Sequence, residues 1–563
     1  MSVAPPLLPT GVVRIDGSEL PAQLAALLVL LRVRDSLRLP DQAQLRFADP
    51  QLAHVDDELL SVGRSIEVLY AAPGASVPAS VFSGRIEAIE LELLSGGAMI
   101  GATAYEPAFA LHQKRRTQAF QNMTSGDIAE QVIAAAGLTA RVGTAPECDT
   151  VHPFVLQSEE TDWQLLWRLA DAIGFEVVGD GETVNFRPAD AAPAGSPLAL
   201  HAGQELISFR PRLSAAQQVE GVEVRGWDPA KAEAIIASES PSAPASDPGV
   251  QRSTLAAAAG AGTWTIGDRT VVSHEEANAL AASLASRLAE VWAQADGAAV
   301  GNPQLRAGRQ VQISGVGQRF GGTYTVTSAT HTLSGGRGYE THFSISGRIE
   351  PTFAELVDLA PATSQWGTSV VVGVVTQTDD PEELGRVRVQ YPALGDGAEG
   401  WWARIAAPAA GAGRGLLMMP LAGDEVVLAF EQGDPRRPYV LGSVWNGQAA
   451  PGELVHTDGS FALASDKDLS LQAGGTASLL AKGSASLTTE GGASIELGKD
   501  GSVTVKATQG DASIELGKDG SVTVKGKSIE VQAGESLALS ASGSLKISAS
   551  GSVQVSASEV QFG

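Results

Sequence analysis

One cysteine, Cys148, is all that 563 residues contain, so no disulfide can form within the chain and the fold cannot lean on the cross-links of small secreted domains. A lone cysteine of this kind reads as a small buried hydrophobe. Basic residues are scarce too: 39 Lys plus Arg stand against 64 Asp plus Glu, a formal charge of −25 that disfavours phosphate backbones and anionic lipid headgroups as partners. Long apolar runs are missing. The longest, Leu20 to Leu31, is broken by Pro21 and Gln23, is too short to span a bilayer, and reads as a core segment. The first eleven residues are Pro-rich and carry no basic stretch ahead of an apolar core, so no secretory signal is visible and synthesis in the cytoplasm is expected.

Catalytic signatures are absent as well. There is no G-x-x-x-x-G-K-[ST], no H-E-x-x-H, no paired C-x-x-C and no G-x-S-x-G in a credible setting. Gly315-Val316-Gly317-Gln318-Arg319-Phe320-Gly321 misses the dinucleotide fingerprint by one residue and sits among strand patterns, so it reads as a turn. Glu159, Glu160 and Asp162 stand at a helix start, where carboxylates meet the positive end of the dipole, a structural reason that outweighs a sugar-cleaving pair. The eight His residues are scattered without ligand spacing, and His274 falls in a first helical turn. No catalytic residue, cofactor or metal is expected. Lys114-Arg115-Arg116 reads as a solvated face, with a contact to another subunit or a tube as the alternative. Trp163 and Trp167, four apart on one helix, read as core packing.

What the chain does have is punctuation. Thr161-Asp162-Trp163-Gln164 takes the T-x-x-Q form of a capping box, Leu165, Leu166, Leu169 and Ile173 make an apolar stripe, and Gly174 suits the stop. Thr124 to Gly137 repeats the scheme with Ile128, Val132 and Ile133 inward. Ser273-His274-Glu275-Glu276 opens a third helix through about Ala295. Gln310 to Ser314, Thr323 to Thr327 and His342 to Ser346 alternate as half-buried strands. The Ala, Ser and Pro-rich stretch at about 228–262 has little periodicity and reads as a long, partly flexible exposed loop. From Val370 to Gly447 strand signals are densest. In Gly385-Arg386-Val387-Arg388-Val389-Gln390-Tyr391 the apolar residues share one face, and Glu425 to Phe430 and Tyr439 to Trp445 flank a Gly433-Asp434-Pro435 turn as a hairpin. About five short strands in under 80 residues predict a small closed barrel.

The tract from Asp468 to Gly563 contains no proline and one aromatic residue, Phe562, yet its alternation never stops. ASIELGKDGSVTVK at Ala493 to Lys506 recurs identically at Ala512 to Lys525, an offset of 19. Nearer the end the period is eight: Ile529, Leu537, Leu545 and Val553 are evenly spaced, as are Val531, Leu539, Ile547 and Val555. Two apolar side chains per octad cannot enclose a core within one chain. Three chains around one axis, each giving a face of a triangular prism, would let those eight residues meet their symmetry mates. A single-chain solenoid with a 19-residue coil and a flexible tail are the alternatives.

These residues resemble the VgrG family of spike proteins from contractile injection machines, a phage baseplate hub fused to a tail spike. The resemblance runs through Tyr105-Glu106-Pro107 to Thr124, Phe154 to Trp163, Val224 to Pro229 and Gly315 to Phe320. It is most specific at Gly385 to Tyr391, Trp402 to Ala406, Pro420 to Val426 and Gly433-Asp434-Pro435-Arg436-Arg437-Pro438. It implies a mainly β chain with an α+β hub of β-barrels and helices at 1–365, an OB-fold barrel at 366–450, a linker at 451–467, and an intertwined triple-stranded β-helix needle at 468–563. It further implies a homotrimer whose hub meets the inner tube protein ring and baseplate proteins, with a PAAR-type tip protein at Val560 and Phe562, effector cargo and a target cell envelope as partners, and no nucleic acid. Only some twenty residues separate barrel from needle, so no lysozyme domain fits between them. Compactness favours an extracellular phage-tail-like particle, with type VI secretion second. The rival reading is a trimeric β-helical glycan depolymerase.

Overall fold

The computed structural model describes residues 11–71, 77–94, 97–189, 195–215, 218–241, 247–249, 252–258, 260, 262–334, 338–346, 370–392, 399–412, 414–449, 472, 475–508 and 511–561. The expected linker at 451–467 and Phe562 lie outside them. The chain divides into two compact units, Met1–Ala450 and Pro451–Gly563. Among the described residues no helix is long and apolar enough to cross a membrane.

Period-two alternation builds the first unit. In Gln42–Ala48 the residues Ala43, Leu45 and Phe47 are buried and their neighbours are not, as a strand with one face on a core requires. The run Leu20 to Leu31 resolves into a short helix, Ala22–Ala26, and the start of a strand, Leu28–Ser36. That strand pairs on one edge with Gln42–Ala48 and on the other with Ser328–Ser334, some 300 residues later. Eleven of the described strands run as one antiparallel sheet, with segments far apart in sequence held at its centre. Tyr70 and Tyr339 stack across this junction at 4.2 Å, and Tyr70 Oη donates to the Leu31 carbonyl at 3.0 Å.

The two capped helices form as expected, and both grow out of one ribbon. Strand Arg115–Thr124 lies antiparallel to Val151–Thr161, and each ends in a threonine that caps the adjoining helix. Thr124 and Asp127 make a full capping box before Ser125–Ala135, as Thr161 and Gln164 do before Asp162–Ile173. Gly174 closes the second helix at φ +73°, a left-handed position that glycine occupies without a Cβ clash. Cys148 is buried in the same core, where burial pushes its thiol up to about 11. It is the small hydrophobe its isolation implies.

Two expectations need correction. The stretch at 228–262 is not one long loop: Glu233–Glu239 pairs antiparallel with Gly221–Asp228, Thr263–Ile266 pairs with that strand in parallel, and Arg252–Ala258 is helical. Only Ile235 and Ala237 carry the inward alternation, too short a signal in an Ala and Ser-rich sequence, but they bury against Val222 and Val224. The third helix, capped by Ser273, ends at Glu290 and not near Ala295. Its alanines favour helix, yet Ala293–Val300 is claimed by strands Leu206–Leu213 and Gly338–Ile345, and pairing on both edges overrides propensity.

The barrel closes as the sequence implies, from Val371–Gln377, Val387–Gln390, Glu399–Ile405, Pro438–Ser443 and Glu425–Phe430. Val387, Val389 and Tyr391 point inward together. Phe154 and Leu156 of the hub ribbon enter the same core, so hub and barrel share buried surface.

A buried carboxylate cluster sits at the hub junction. Asp35, Asp41 and Glu106 are all buried around Arg306, whose guanidinium reaches Asp35 at 2.8 Å and Asp41 at 3.4 Å. The Glu106 carboxylate accepts the Asp41 backbone N–H at 3.0 Å. Burial, with repulsion from Asp35 and Asp180, pushes Glu106 up to about 7 despite that hydrogen bond and Arg306. Burial, with repulsion from Asp35 and Glu106, raises Asp41 as well. An acid raised on folding contributes stability that is full below its unfolded value near 4.5 and lost as pH climbs to about 7. Glu106→Gln keeps the acceptor and cannot ionise, so its melting temperature relative to the natural chain is expected to rise between pH 4.5 and 7 and then level off. A difference that stays flat across that window would sink this assignment.

Candidate functional site

In the second unit the described strands are Ala485–Thr488, Ser494–Leu497, Val503–Lys506, Ser513–Leu516 and Val522–Lys525, each antiparallel to the next. The duplicated fourteen residues explain why, since each copy is one hairpin. Gly498 N–H donates to the Ser502 carbonyl at 2.8 Å, Asp500 Oδ1 accepts from Ser502 N and Oγ, and Gly501 takes φ +87°. Gly517, Asp519, Ser521 and Gly520 repeat the turn. A solenoid coil would stack neighbouring strands in parallel, so the antiparallel register removes that alternative for these residues.

The register decides what this sheet can do. Leu487, Ile495, Val505, Ile514 and Val524 lie directly opposite one another in a row, and Ala485, Leu497, Val503, Leu516 and Val522 form a second row on the same face. The other face carries Ser486, Glu496, Thr504, Glu515 and Thr523 in one row and Thr488, Ser494, Lys506, Ser513 and Lys525 in the next. One side is thus wholly aliphatic and the other polar. The aliphatic side is uncovered: Ile495 is 44% exposed, Leu516 42% and Val522 66%. Contiguous apolar surface of this kind marks an association site.

Beyond it the tract changes character. Among the described residues from 526 to 561 no strand forms, and the eight needle-core candidates, Ile529, Val531, Leu537, Leu539, Leu545, Ile547, Val553 and Val555, are all exposed, from 56% to 70%. Val560, the described half of the expected tip contact, is 49% exposed. The two spacings of the tract thus differ in kind, the 19-residue repeat pairing with itself and the octads forming no strand among the described residues.

In the first unit, the motif Gly433 to Pro438 proves to be a clamp between barrel and hub. Arg436 meets Glu276 of the third helix at 2.7 Å and Asp434 at 2.8 Å, while Thr270 Oγ1 donates to Asp434. Arg437 Nη2 donates to the carbonyls of Trp227 and Val271 at 3.0 and 3.1 Å. Burial alone would raise the Asp434 carboxyl, but Arg436 and its hydrogen bonds hold it below its ordinary value. Reading along the sequence finds the motif but not its partner Glu276, 160 residues away. The other candidates are structural: Arg116 pairs with buried Asp162 at 3.1 Å, Glu160 with Arg168, and Arg115 donates to the Glu159 carbonyl. Trp163 is buried in the core beside Trp167, Gly315 and Gly317 turn between two strands at positive φ, and His274 begins its helix.

Comparisons with known proteins respect these boundaries. The model of the Alg8 N-terminal domain matches residues 7–335, and that of the Type VI secretion system/phage-baseplate injector OB domain matches 371–445. The Type VI secretion system spike protein VgrG4b of Pseudomonas aeruginosa is 37% identical over 83 residues, covering 14% of this chain and 10% of its own. VgrG1a of the same organism is 34% identical over 92 residues, 16% of this chain and 14% of its own. The chain thus matches about a tenth to a seventh of the length of these relatives. Among solved structures, the Escherichia coli c3393 protein, a component of the type VI secretion system, aligns at 17% identity and a TM-score of 0.48 over 77% of this chain and 99% of its own. The 43 kDa tail protein of prophage MuSo2 from Shewanella oneidensis aligns at 15% and 0.46 over 60% and 98%.

Removing Arg436 would leave Asp434 and Glu276 without their buried counter-charge. Arg436→Gln is expected to cost on the order of 3 kcal/mol in chemical denaturation, and an unchanged midpoint would show that the clamp holds nothing.

Proposed function

We propose, from the premise that the chain belongs to the Alg8 N-terminal domain family and is a VgrG-like spike protein, that it serves as the trimeric hub and puncturing spike of a contractile injection machine. The observation that carries this reading is the double row of aliphatic side chains on one face of the C-terminal sheet. Such a face is half of a core. Three copies turned toward one axis supply the rest, and the polar rows then face water all round. Eight of the ten aliphatic positions in the sheet and all eight in the octads are exposed, and together they offer on the order of 1,000 Å² per copy, the scale of a stable interface.

The roles derive from rigidity. The hub sheet seats on the inner tube ring and baseplate proteins, the barrel passes force from hub to rod, and the rod carries a PAAR-type tip protein at Val560 and Phe562 through a target envelope, with effectors travelling on the assembly. Such a part needs threefold shape and stiffness, not a reactive group, and we read the chain as no enzyme. It is assembled in the cytoplasm into an injection particle that acts outside the cell.

Light scattering on the purified chain is expected to give a trimer near 3 × 57.9 = 173.7 kDa. Ile514→Asp with Leu516→Asp, which puts charge on the aliphatic rows, is expected to yield monomer with an intact hub and barrel by circular dichroism. A natural chain that is monomeric would overturn the reading, and sugar released from capsule or cell-wall polysaccharide would move it to the depolymerase.

A further inference from the structure

The hub sheet has two edges with no strand beside them among the described residues. From Leu206–Leu213 it runs through Ala293–Val300, Gly338–Ile345, Ser328–Ser334, Leu28–Ser36, Gln42–Ala48 and Gly97–Tyr105 to Ala79–Leu94, eight strands in which every neighbour is antiparallel. Leu206–Leu213 is the last strand on its side. On the other side Ser65–Tyr70 pairs with Ala79–Leu94 only as far as Arg85. Ile86 still bonds to Gly63 and Arg64, but beyond it the backbone of 87–94 has no partner on that side among the described residues. An open edge of this kind is a template for another strand.

The two edges carry the same alternation with opposite charge. On the first, Phe209 and Leu213 pack on the core, while Arg210 and Arg212 stand exposed on the other face. On the second, Ile89, Leu91 and Leu93 share the face of the buried Ala102, Ile100 and Ala98, while Glu90 and Glu92 stand exposed on the other. Leu91 and Leu93 are 49% and 68% exposed although they line the core side, because no further strand covers them. Asp296 lies across from Arg210 and Arg46 reaches Glu92 at 3.6 Å, but Glu90 and Arg212 have no ion pair among the described residues.

We infer that the acidic edge 87–94 of one copy pairs with the basic edge Leu206–Leu213 of the next, so that the hub sheets of neighbouring copies run on into one another. This rests on the trimer reading above. Copies related by rotation about an axis along the strands keep their strand sense. Because eight alternating strands lie from one edge to the other, the contact between copies is antiparallel, like every contact within those eight. Glu90 set against Arg212 and Glu92 against Arg210 puts Ile89, Leu91 and Leu93 against Leu213, Pro211 and Phe209 on the core side. The added strand thus covers the two exposed leucines and pairs four charges at once. Like edges do not join, since two acidic or two basic edges set like charges opposite each other. Pro211 has no N–H to donate, which makes this edge a poorer template for strands without the matching charges. Each copy offers one edge and takes the other, the head-to-tail contact from which a closed ring of three is built.

Disulfide trapping in the full-length chain reads this contact. In a Cys148→Ala background one chain carries Leu91→Cys and a second, told apart by an affinity tag, carries Pro211→Cys. Co-expressed and mildly oxidised with copper phenanthroline, the two are expected to give a mixed covalent dimer, and either variant alone to give none. Adding Glu90→Arg and Glu92→Arg to the Leu91→Cys chain is expected to lower the mixed product about tenfold, since like charges then face each other. Adding Arg210→Glu and Arg212→Glu to the Pro211→Cys chain as well is expected to restore it, and that recovery separates a lost contact from a lost fold. A chain that is trimeric by light scattering but yields no mixed dimer would overturn the edge contact and leave the trimer to its C-terminal tract. Cross-linking of the Leu91→Cys chain to itself would show acidic edges paired about a twofold axis and overturn it too. A natural chain that is monomeric would overturn both readings.

Discussion

An aliphatic sheet face with nothing laid over it is the constraint on which the rest of the molecule depends. At roughly 25 cal/mol per Å², covering side chains that are already half buried gains about 1 kcal/mol each, so a single pair of octads cannot offset the entropy of bringing chains together. Many in register can. On the proposed trimer reading, association on this surface would be all-or-none, the behaviour that a puncturing element needs. The polar rows reinforce it: Glu496 and Glu515 fall in one row and Lys506 and Lys525 in the next, giving an outer face with both signs and no apolar patch to draw further copies.

The proposed role in passing on force asks for a hub and a barrel that do not part. In the first unit hub and barrel are joined in two different ways. Phe154 and Leu156 of the ribbon lie in the barrel core, an apolar joint that resists being pulled apart but directs no orientation. Arg436, fixed by Asp434 and Glu276, and Arg437, fixed by two hub carbonyls, supply orientation, since a planar guanidinium binds two partners in a set geometry. Arg388 adds a third tie, donating to Gln121 of the ribbon at 3.0 Å. The ribbon thus touches the barrel with apolar and polar groups at once, and both of its strands run directly into capped helices.

Legibility in the sequence tracked the range of the interactions. Caps, turns and two-residue alternation act within a few residues, and Thr124, Thr161, Gly174 and the strand Val387–Gln390 stand where their neighbours imply. The misplaced elements are those that a distant partner decides. Glu233–Glu239 is a strand because Gly221–Asp228 accepts it, and the helix stops at Glu290 because two strands claim Ala293–Val300. The clusters around Arg306 and Arg436 join residues more than 150 positions apart and left no local trace. In the C-terminal tract the repeat itself was plain, but the division between self-paired hairpins and unpaired octads was not, because alternation is the same in both and only pairing separates them.

The barrel and the C-terminal sheet pose the same question with opposite answers. Both consist of five short strands with alternating aliphatic residues, yet one encloses its core and the other does not. The difference lies in what bends a sheet. The barrel strands carry register shifts between Val375 and Gln377, Arg388 and Gln390, and Val427 and Leu428, and bulges of this kind increase local twist. Glycines let its walls approach: a Cβ at Gly373 would stand 2.5 Å from Leu428, and one at Gly400 would stand 2.6 Å from Tyr391. The hairpin sheet has neither device. Its strands are four residues long, their register runs without a shift, and none of its glycines falls within a strand. Such a sheet cannot curl to meet its own edge, so among the described residues its aliphatic rows stay open, as the proposed association with other copies requires.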